Sequence, residues 1–133
     1  MALREKGRYY ELPLAGCKLC KIAYNGVLCL YFDESDETYL TLIGKFELVE
    51  HGQTSILLPT SREALLVCYD LLNAGITIKS AQADKEGRLF LVFDNKLELT
   101  VAGPSDYWDF THRSSQNARN NVSVSGGLGY LDF

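Results

Sequence analysis

The sequence lacks any long hydrophobic run. Its longest apolar stretch, Val27 to Phe32, has the length of a strand, whereas a membrane-spanning helix needs roughly 18 or more apolar residues. The charged start, Met1 to Arg8, is not followed by the apolar segment of about 7–15 residues that a secretory signal contains. We therefore expect a cytoplasmic protein that does not interact with a membrane.

The chain also lacks an excess of basic residues. Its 13 Lys and Arg against 17 Asp and Glu give a net charge of −4, so the whole chain has no electrostatic footprint for nucleic acid. At 133 residues, with 47% hydrophobic and 23% charged residues, the composition argues against disorder, collagen and coiled coil. The sequence predicts a single soluble globular domain spanning 1–133.

Cysteines are few, and two of them are closely spaced. Cys17 and Cys20 have the CxxC spacing of zinc and redox sites, but Cys29 and Cys68 do not form the second close pair that a structural zinc site needs. The flanking segment 18–24 has strand character, which places Cys17 and Cys20 on opposite faces. Free cysteines are often buried, so we expect reduced, buried or half-buried thiols, no metal and no cofactor. A redox role for Cys17 and Cys20 is the alternative.

One segment has the pattern of a helix. Thr60 and Glu63 have capping-box spacing, apolar residues then recur at three- and four-residue intervals, and Gly75 supplies a stop. This predicts a helix over about 61–73. Short segments rich in β-branched and aromatic residues predict strands on both sides. They cover 18–24, 27–32, 38–43, 46–49 and 55–58 before the helix, and 77–83, 89–93, 97–102, 122–124 and 130–133 after it.

The two halves of the chain contain similar motifs in the same order. Leu28-x-Leu30-x-Phe32-Asp33 matches Leu89-x-Leu91-x-Phe93-Asp94, and Leu40-Thr41-Leu42-Ile43-Gly44 matches Leu99-Thr100-Val101-Ala102-Gly103. The offset stays between 59 and 61 residues, with Ala15-Gly16 matching Ala74-Gly75. Asn25-Gly26 adds a type I′ hairpin signal. The sequence therefore predicts an α+β, mainly β fold. Two related antiparallel three-stranded meanders, in repeats of about 14–49 and 74–110, are joined by the helix, and extra strands follow at the C-terminus.

The order of these motifs resembles an uncharacterised bacterial family, domain of unknown function 6188. The resemblance runs from about residue 11 to 133 and is carried by the segments Leu12 to Gly16, Leu28 to Asp33, Phe46 to Leu48, Leu65 to Leu72, Gly75 to Phe93, Tyr107 to Phe110 and Val122 to Gly127. Two positions depart from the family pattern, since Ser125 replaces a proline and Phe133 replaces a tryptophan. The resemblance implies a fold and transfers no activity or catalytic residue.

An acidic run occupies one predicted hairpin turn. Asp33, Glu34, Asp36 and Glu37 lie within five residues, but the glycine turn and distant bidentate glutamate of a known calcium loop are missing. Two interpretations remain, a solvated turn and a contact for a basic partner.

The sequence contains neither a Gly-x-Ser-x-Gly elbow nor a phosphate-binding loop with its lysine and helix. The two histidines, His51 and His112, are expected at the surface. Tyr107 and Trp108 belong either to the core or to an interface, where aromatic anchors carry binding energy. The segment from His112 to Asn121 is polar and basic, and it predicts either an exposed connection or a mobile contact loop.

Two functions from different classes fit these features. The first is a small, acidic, non-catalytic binding protein, an immunity-type partner that neutralises a basic toxin domain. Its candidate contacts are Asp33, Glu34, Asp36, Glu37, Tyr107, Trp108 and His112. The alternative is a small-molecule-binding protein or enzyme with a cavity between the two meanders and Tyr107, Trp108 and His112 at its mouth. No catalytic residue is assigned, and a homodimer is compatible with either function.

Overall fold

Within the residues that the computed structural model describes, 3–33, 37–114, 117 and 121–133, the chain forms twelve strands and one helix. The mainly β, α+β class is therefore confirmed. In chain order the strands are β1 (Arg4–Lys6), β2 (Tyr9–Glu11), β3 (Leu19–Tyr24), β4 (Leu28–Phe32), β5 (Glu37–Leu42), β6 (Phe46–Glu50), β7 (Gln53–Leu57), β8 (Ile78–Asp84), β9 (Leu89–Phe93), β10 (Glu98–Val101), β11 (Trp108–Arg113) and β12 (Val122–Gly126). Helix α1 (Arg62–Ala74) lies between β7 and β8.

The strands form two antiparallel sheets around one core. The seven-stranded sheet has the order β1-β2-β8-β9-β10-β6-β7, and the five-stranded sheet has the order β12-β11-β5-β4-β3. Alternate residues of most strands are buried, and the buried side chains of both sheets belong to one hydrophobic cluster. Leu28, Leu30 and Phe32 on β4 are at most 1% exposed, and burying each such side chain contributes roughly 1.5–3 kcal/mol.

Helix α1 begins one residue later than the capping pattern predicts. Ser61 is the N-cap, and its side chain accepts a hydrogen bond of 3.2 Å from the Ala64 backbone N–H. Thr60 is therefore not the cap. Gly75 ends the helix as predicted, with a φ of 66° in the left-handed region. The buried face is Ala64, Cys68 and Leu71, and the helix packs against β3.

Besides the connection from β2 to β3, two reciprocal connections carry the chain from one sheet to the other. β5 belongs to the five-stranded sheet, but the next strand, β6, pairs with β10 in the seven-stranded sheet. In return, the strand after β10, β11, pairs with β5 in the five-stranded sheet. Gly44 lies at the first crossing, where an added Cβ would overlap the backbone of Asp106. The Ile43 and Gly44 N–H groups both donate to the Tyr107 carbonyl at 3.0 Å. These crossings place β11 directly beside the acidic hairpin.

The segments β3–β4–β5 and β8–β9–β10 share local details. Each consists of three consecutive antiparallel strands. The register shifts between Leu19 and Lys21 in the first segment, and between Ile78 and Ser80 in the second, 59 residues later. An isolated antiparallel bridge joins Lys18 to Thr77, which are also 59 residues apart.

Three local expectations differ from the structure. β1, β2 and β11 were not predicted, because β1 is fully charged and β11 mixes aromatic with polar residues. The predicted strand over 130–133 is limited to one bridge at Asp132. The β3–β4 loop has three residues and only Gly26 at positive φ, so it is not a type I′ turn.

Candidate functional site

The acidic hairpin lies against the end of β11. Glu37 is the first residue of β5 and pairs in register with Arg113, whose Nη1 lies 3.6 Å from Glu37 Oε2. Both side chains are about two-thirds exposed (66% and 71%), so this ion pair contributes little stability. Asp33 is exposed at a φ of 68°, and Glu34 and Asp36 lie outside the described residues. Part of the predicted acidic charge is therefore neutralised by Arg113.

His112 lies on a strand rather than in a connection. It is opposite Thr38 in the β5–β11 register, and its Nδ1 is 2.6 Å from the Thr38 hydroxyl oxygen. Thr38 is 2% exposed, so this hydrogen bond satisfies a buried hydroxyl and orients the imidazole ring. Among the residues that the structure describes, none accepts from or donates to His112 Nε2. That nitrogen is available to a ligand.

A pocket of about 380 Å³ opens beside the His112 ring. Its volume is within the range of small-molecule sites. The apolar part of its wall comes from the N-terminal segment and β12, and Arg4 and Glu11 add charged side chains to the lining. The lining residues are Leu3, Arg4, Glu11, Leu12, Pro13, His112 and Val122.

Tyr107 and Trp108 lie at the other end of β11 from His112. A strand rises about 3.3 Å per residue, so Trp108 and His112 are separated by roughly 13 Å along β11. Trp108 is fully buried, and its Nε1–H donates to the Gly87 carbonyl at 2.9 Å. Tyr107 is 43% exposed. The structure therefore places Glu37 and His112 at the same end of the β5–β11 pair, with their side chains on opposite faces of the sheet, and it places Tyr107 and Trp108 at the other end.

The four cysteines are free thiols with separate surroundings. Cys17 Sγ donates to the Pro13 carbonyl at 3.9 Å, Cys20 Sγ donates to the Tyr31 carbonyl at 3.3 Å, and Cys68 lies on the buried face of α1. Burial raises the pKa of the Cys68 thiol to about 12 from 9.0. Burial, and then the charge of Asp33, also raise the pKa of Cys17. In the described ranges, no three His, Cys, Asp or Glu side chains are grouped closely enough to hold a metal ion.

We expect Cys68 to resist alkylation in the native protein. Its raised pKa lowers the thiolate fraction at neutral pH about 1,000-fold relative to a thiol of pKa 9.0, and burial blocks access as well. Iodoacetamide labelling followed by peptide mass spectrometry should show Cys68 unmodified at pH 7.5. All four cysteines should be labelled in denaturant without reductant. Because the folded pKa exceeds the unfolded value, the free energy of unfolding should fall as the pH rises from about 9 to 12. Native labelling of Cys68 as fast as Cys29, or stoichiometric zinc, would contradict this description.

The outer face of the seven-stranded sheet carries a feature that sequence analysis missed. We call it the acidic–apolar face, and it consists of Tyr9, Glu47, Val49, Ile56, Phe90, Val92 and Glu98. Tyr9 is 37% exposed and Ile56 is 64% exposed, while Val49, Phe90 and Val92 are partly exposed. The rings of Tyr9 and Phe90 meet edge to face at 5.9 Å.

Two carboxylates of the acidic–apolar face lack cations. Glu98 is opposite Val49, and Glu47 is opposite Thr100, so the two glutamates are diagonal neighbours at about 7–8 Å. Neither forms an ion pair with any residue in the described part of the chain. The sequence alternation of β6, β9 and β10 indicates which of their residues share the outer face. It does not indicate that β6 pairs with β10, and that pairing is what brings Glu47 close to Glu98.

Comparisons with known proteins provide no relative for this chain. No family model, curated protein or solved structure matches it. The described residues contain no helix with the length and apolar character needed to cross a membrane.

Proposed function

We propose that the protein is a non-catalytic cytoplasmic binding protein that captures a basic protein partner, in the manner of an immunity protein that neutralises a toxin domain. The observation that carries this proposal is the pair Glu47 and Glu98, which lies uncompensated among partly exposed apolar side chains. Two carboxylates at this diagonal separation repel each other. Lys or Arg side chains of a partner would relieve that repulsion.

The apolar members of this face would supply affinity. Aromatic and large aliphatic side chains at the centre of an interface carry most of the binding energy. Tyr9, Phe90 and Ile56 are of this type and retain exposed surface. The glutamates and the net charge of −4 would act mainly on the encounter rate, because complementary charge steers association.

The acidic hairpin is a second contact in this proposal. Asp33, Glu34 and Asp36 would steer the partner, whereas Glu37 is already engaged with Arg113 at 3.6 Å. Trp108 has no exposed surface and takes no part unless the sheet opens. We assign a steering role to the hairpin and an anchoring role to the acidic–apolar face.

The test is a comparison of two charge-matched double variants. Tagged protein is used to capture partners from the native cell, mass spectrometry identifies them, and association rates are then measured with the purified partner. Glu47→Lys with Glu98→Lys should slow association at least about 10-fold in dilute buffer and reduce its salt dependence. Glu34→Lys with Asp36→Lys changes the net charge equally and should slow association less. Screening over about 8 Å at 0.15 M salt should diminish both effects.

An unchanged association rate for both variants would overturn the proposal. If only the variant Glu34→Lys with Asp36→Lys slowed association strongly, the partner would be anchored at the β4–β5 turn rather than at the acidic–apolar face. Circular dichroism should show that both double variants are folded, because the substituted side chains of β6 and β10 lie on the outer face of the sheet.

The pocket beside His112 supports a second function, the binding of a small molecule. The hydrogen bond between the Thr38 hydroxyl and His112 Nδ1 holds the ring, and no described residue forms a hydrogen bond with Nε2. An apolar ligand with one polar group would fill the pocket and contact this nitrogen. A ligand at 100 times its dissociation constant stabilises a protein by about 2.7 kcal/mol. A compound that raises the melting temperature of the wild type but not of His112→Ala would support this function.

We also infer that the chain arose by duplication of a meander unit, with α1 as the connection between the two copies. The matched register shifts at Leu19 and Ile78 support this inference, as does the bridge between Lys18 and Thr77. Reciprocal hydrogen bonds support it further, because Leu19 N–H donates to the Ile76 carbonyl at 3.2 Å and Ile78 N–H donates to the Cys17 carbonyl at 2.9 Å. We also propose that the chain belongs to domain of unknown function 6188, which the order of its motifs supports.

A further inference from the structure

The four outer strands of the two sheets are protected to different degrees. β1 consists of three charged residues, Arg4 to Lys6. α1 packs against β3, and the C-terminal segment pairs with β12 through Asp132. β7 has none of these protections in the part of the chain that the structure describes. It is exposed from Gln53 to Ile56, and it lies in a stretch, 51–61, without Asp, Glu, Lys or Arg.

The free backbone groups of β7 can be assigned from its hairpin. His51 and Gly52 form a two-residue loop with φ values of 51° and 78°, as a type I′ turn requires. Such a loop is closed by a hydrogen-bonded pair, here Glu50 and Gln53, and the pairs then alternate along the strands. The N–H and C=O groups of Thr54 and Ile56 therefore point away from β6, toward the open edge.

We propose that β7 pairs antiparallel with β7 of a second copy of this chain, about a two-fold axis at Ser55. In this register Thr54 of one copy faces Ile56 of the other, and the two facing pairs exchange four backbone hydrogen bonds. A two-fold contact brings each residue close to its own equivalent, so a charged strand would repel itself. The uncharged stretch 51–61 avoids that repulsion although the whole chain carries −4.

The opposite sheet shows that an edge of this kind forms backbone hydrogen bonds with a further segment of chain, at one bridge between Ser125 and Asp132. β12 occupies the position in the five-stranded sheet that β7 occupies in the seven-stranded sheet, since each is the outer strand of the hairpin that crosses between sheets. On β12, Ser125 N–H donates to the Asp132 carbonyl at 2.8 Å, and Asp132 N–H donates back at 3.0 Å. The chain itself covers β12, and a second copy would cover β7. This proposal does not depend on the partner proposed above.

Sedimentation equilibrium of the purified protein tests the pairing. The wild type should be a reversible dimer. Thr54→Pro removes an edge-facing N–H and leaves the β6–β7 hydrogen bonds in place, as proline does on natural edge strands. By symmetry it removes two of the four intermolecular bonds, which should weaken dimerisation roughly 10- to 100-fold at about 1 kcal/mol per bond.

The matched control is Glu5→Pro on β1, at the other edge of the same sheet. In the β1–β2 hairpin, Lys6 and Tyr9 form the hydrogen-bonded pair that closes the loop, and Glu5 and Tyr10 form the next pair. Because hydrogen-bonded pairs alternate along the strands, the N–H of Glu5 points away from β2, toward solvent. This variant should dimerise like the wild type. Ile56→Lys is the second variant and should weaken dimerisation, whether or not Thr54→Pro folds, because it removes an apolar side chain that faces Thr54 of the other copy and places two like charges diagonally across the axis. A monomeric wild type, or an Ile56→Lys dimer as strong as the wild type, would overturn the proposal.

Discussion

Trp108→Ala is expected to lower the melting temperature by roughly 10–20 °C. Trp108 is the largest fully buried side chain and is 0% exposed. Replacing a buried tryptophan with alanine costs about 3–5 kcal/mol, and for a chain of this length each 1 kcal/mol corresponds to about 3–5 °C. The loss includes the bond from Nε1–H to the Gly87 carbonyl, which keeps its other hydrogen bond, from the Gly127 N–H at 3.0 Å. Differential scanning calorimetry measures the effect.

Two control variants test whether the loss of stability in Trp108→Ala comes from the burial of the indole ring. Tyr107→Ala removes a neighbouring ring that is 43% exposed and should cost no more than about 1 kcal/mol. Trp108→Phe keeps most of the ring volume and removes the N–H donor, so it should cost an intermediate amount, about 1–3 kcal/mol. Equal small losses for Trp108→Ala and Tyr107→Ala would show that the indole ring is not in the core. Trp108 is the single tryptophan, so its fluorescence reports directly on that ring.

Gly127→Ala is expected to destabilise the protein by about 2–5 kcal/mol. Gly127 has a φ of 85°, and an added Cβ would lie 2.6 Å from the Asp106 carbonyl carbon and 2.8 Å from Tyr107 Cα. The left-handed conformation costs an alanine about 1–2 kcal/mol, and the steric overlap adds about 1–3 kcal/mol. Because the atoms it meets are backbone, a side-chain rotation cannot relieve the overlap. Urea denaturation measures the free energy of unfolding.

Gly129→Ala is the matched control for this substitution. Gly129 has the same φ of 85°, but nothing lies within 4 Å of the added Cβ. Only the conformational cost remains, about 1–2 kcal/mol. The difference between the two variants therefore measures how closely the chain after β12 packs on residues 106–107. Equal losses would mean that this close approach is absent in solution.

The helix and most strands were predictable because their signals are local. The apolar face of α1 repeats along a single segment, and Gly75 marks its end whatever the surroundings are. The alternation of Leu89, Leu91 and Phe93 likewise indicates a strand with one buried face. The sequence did not identify Ser61 as the N-cap, because Thr60 and Ser61 are adjacent and both residue types are good N-caps.

The site was predictable only in part. The acidic hairpin and His112 were recognised from residue type, but their proximity depends on β11 pairing with β5. β11 was missed although Trp108, Phe110 and His112 alternate, because the polar residues after it resemble a loop. The acidic–apolar face combines β2, β6, β7, β9 and β10, which come from distant parts of the chain.

The sequence by itself determined where the helix lies, where nine of the twelve described strands lie, and which side of those strands is apolar. These properties depend on residues a few positions apart, whose side-chain periodicity fixes burial wherever the strand is placed. Only the tertiary structure decided that β6 pairs with β10 and that β11 pairs with β5. It also decided that Trp108 is buried while Ile56 is exposed, and that Glu47 and Glu98 are neighbours. Pairing between distant strands depends on hydrogen bonds and packing that many strand orders satisfy almost equally well, so local patterns do not select among them.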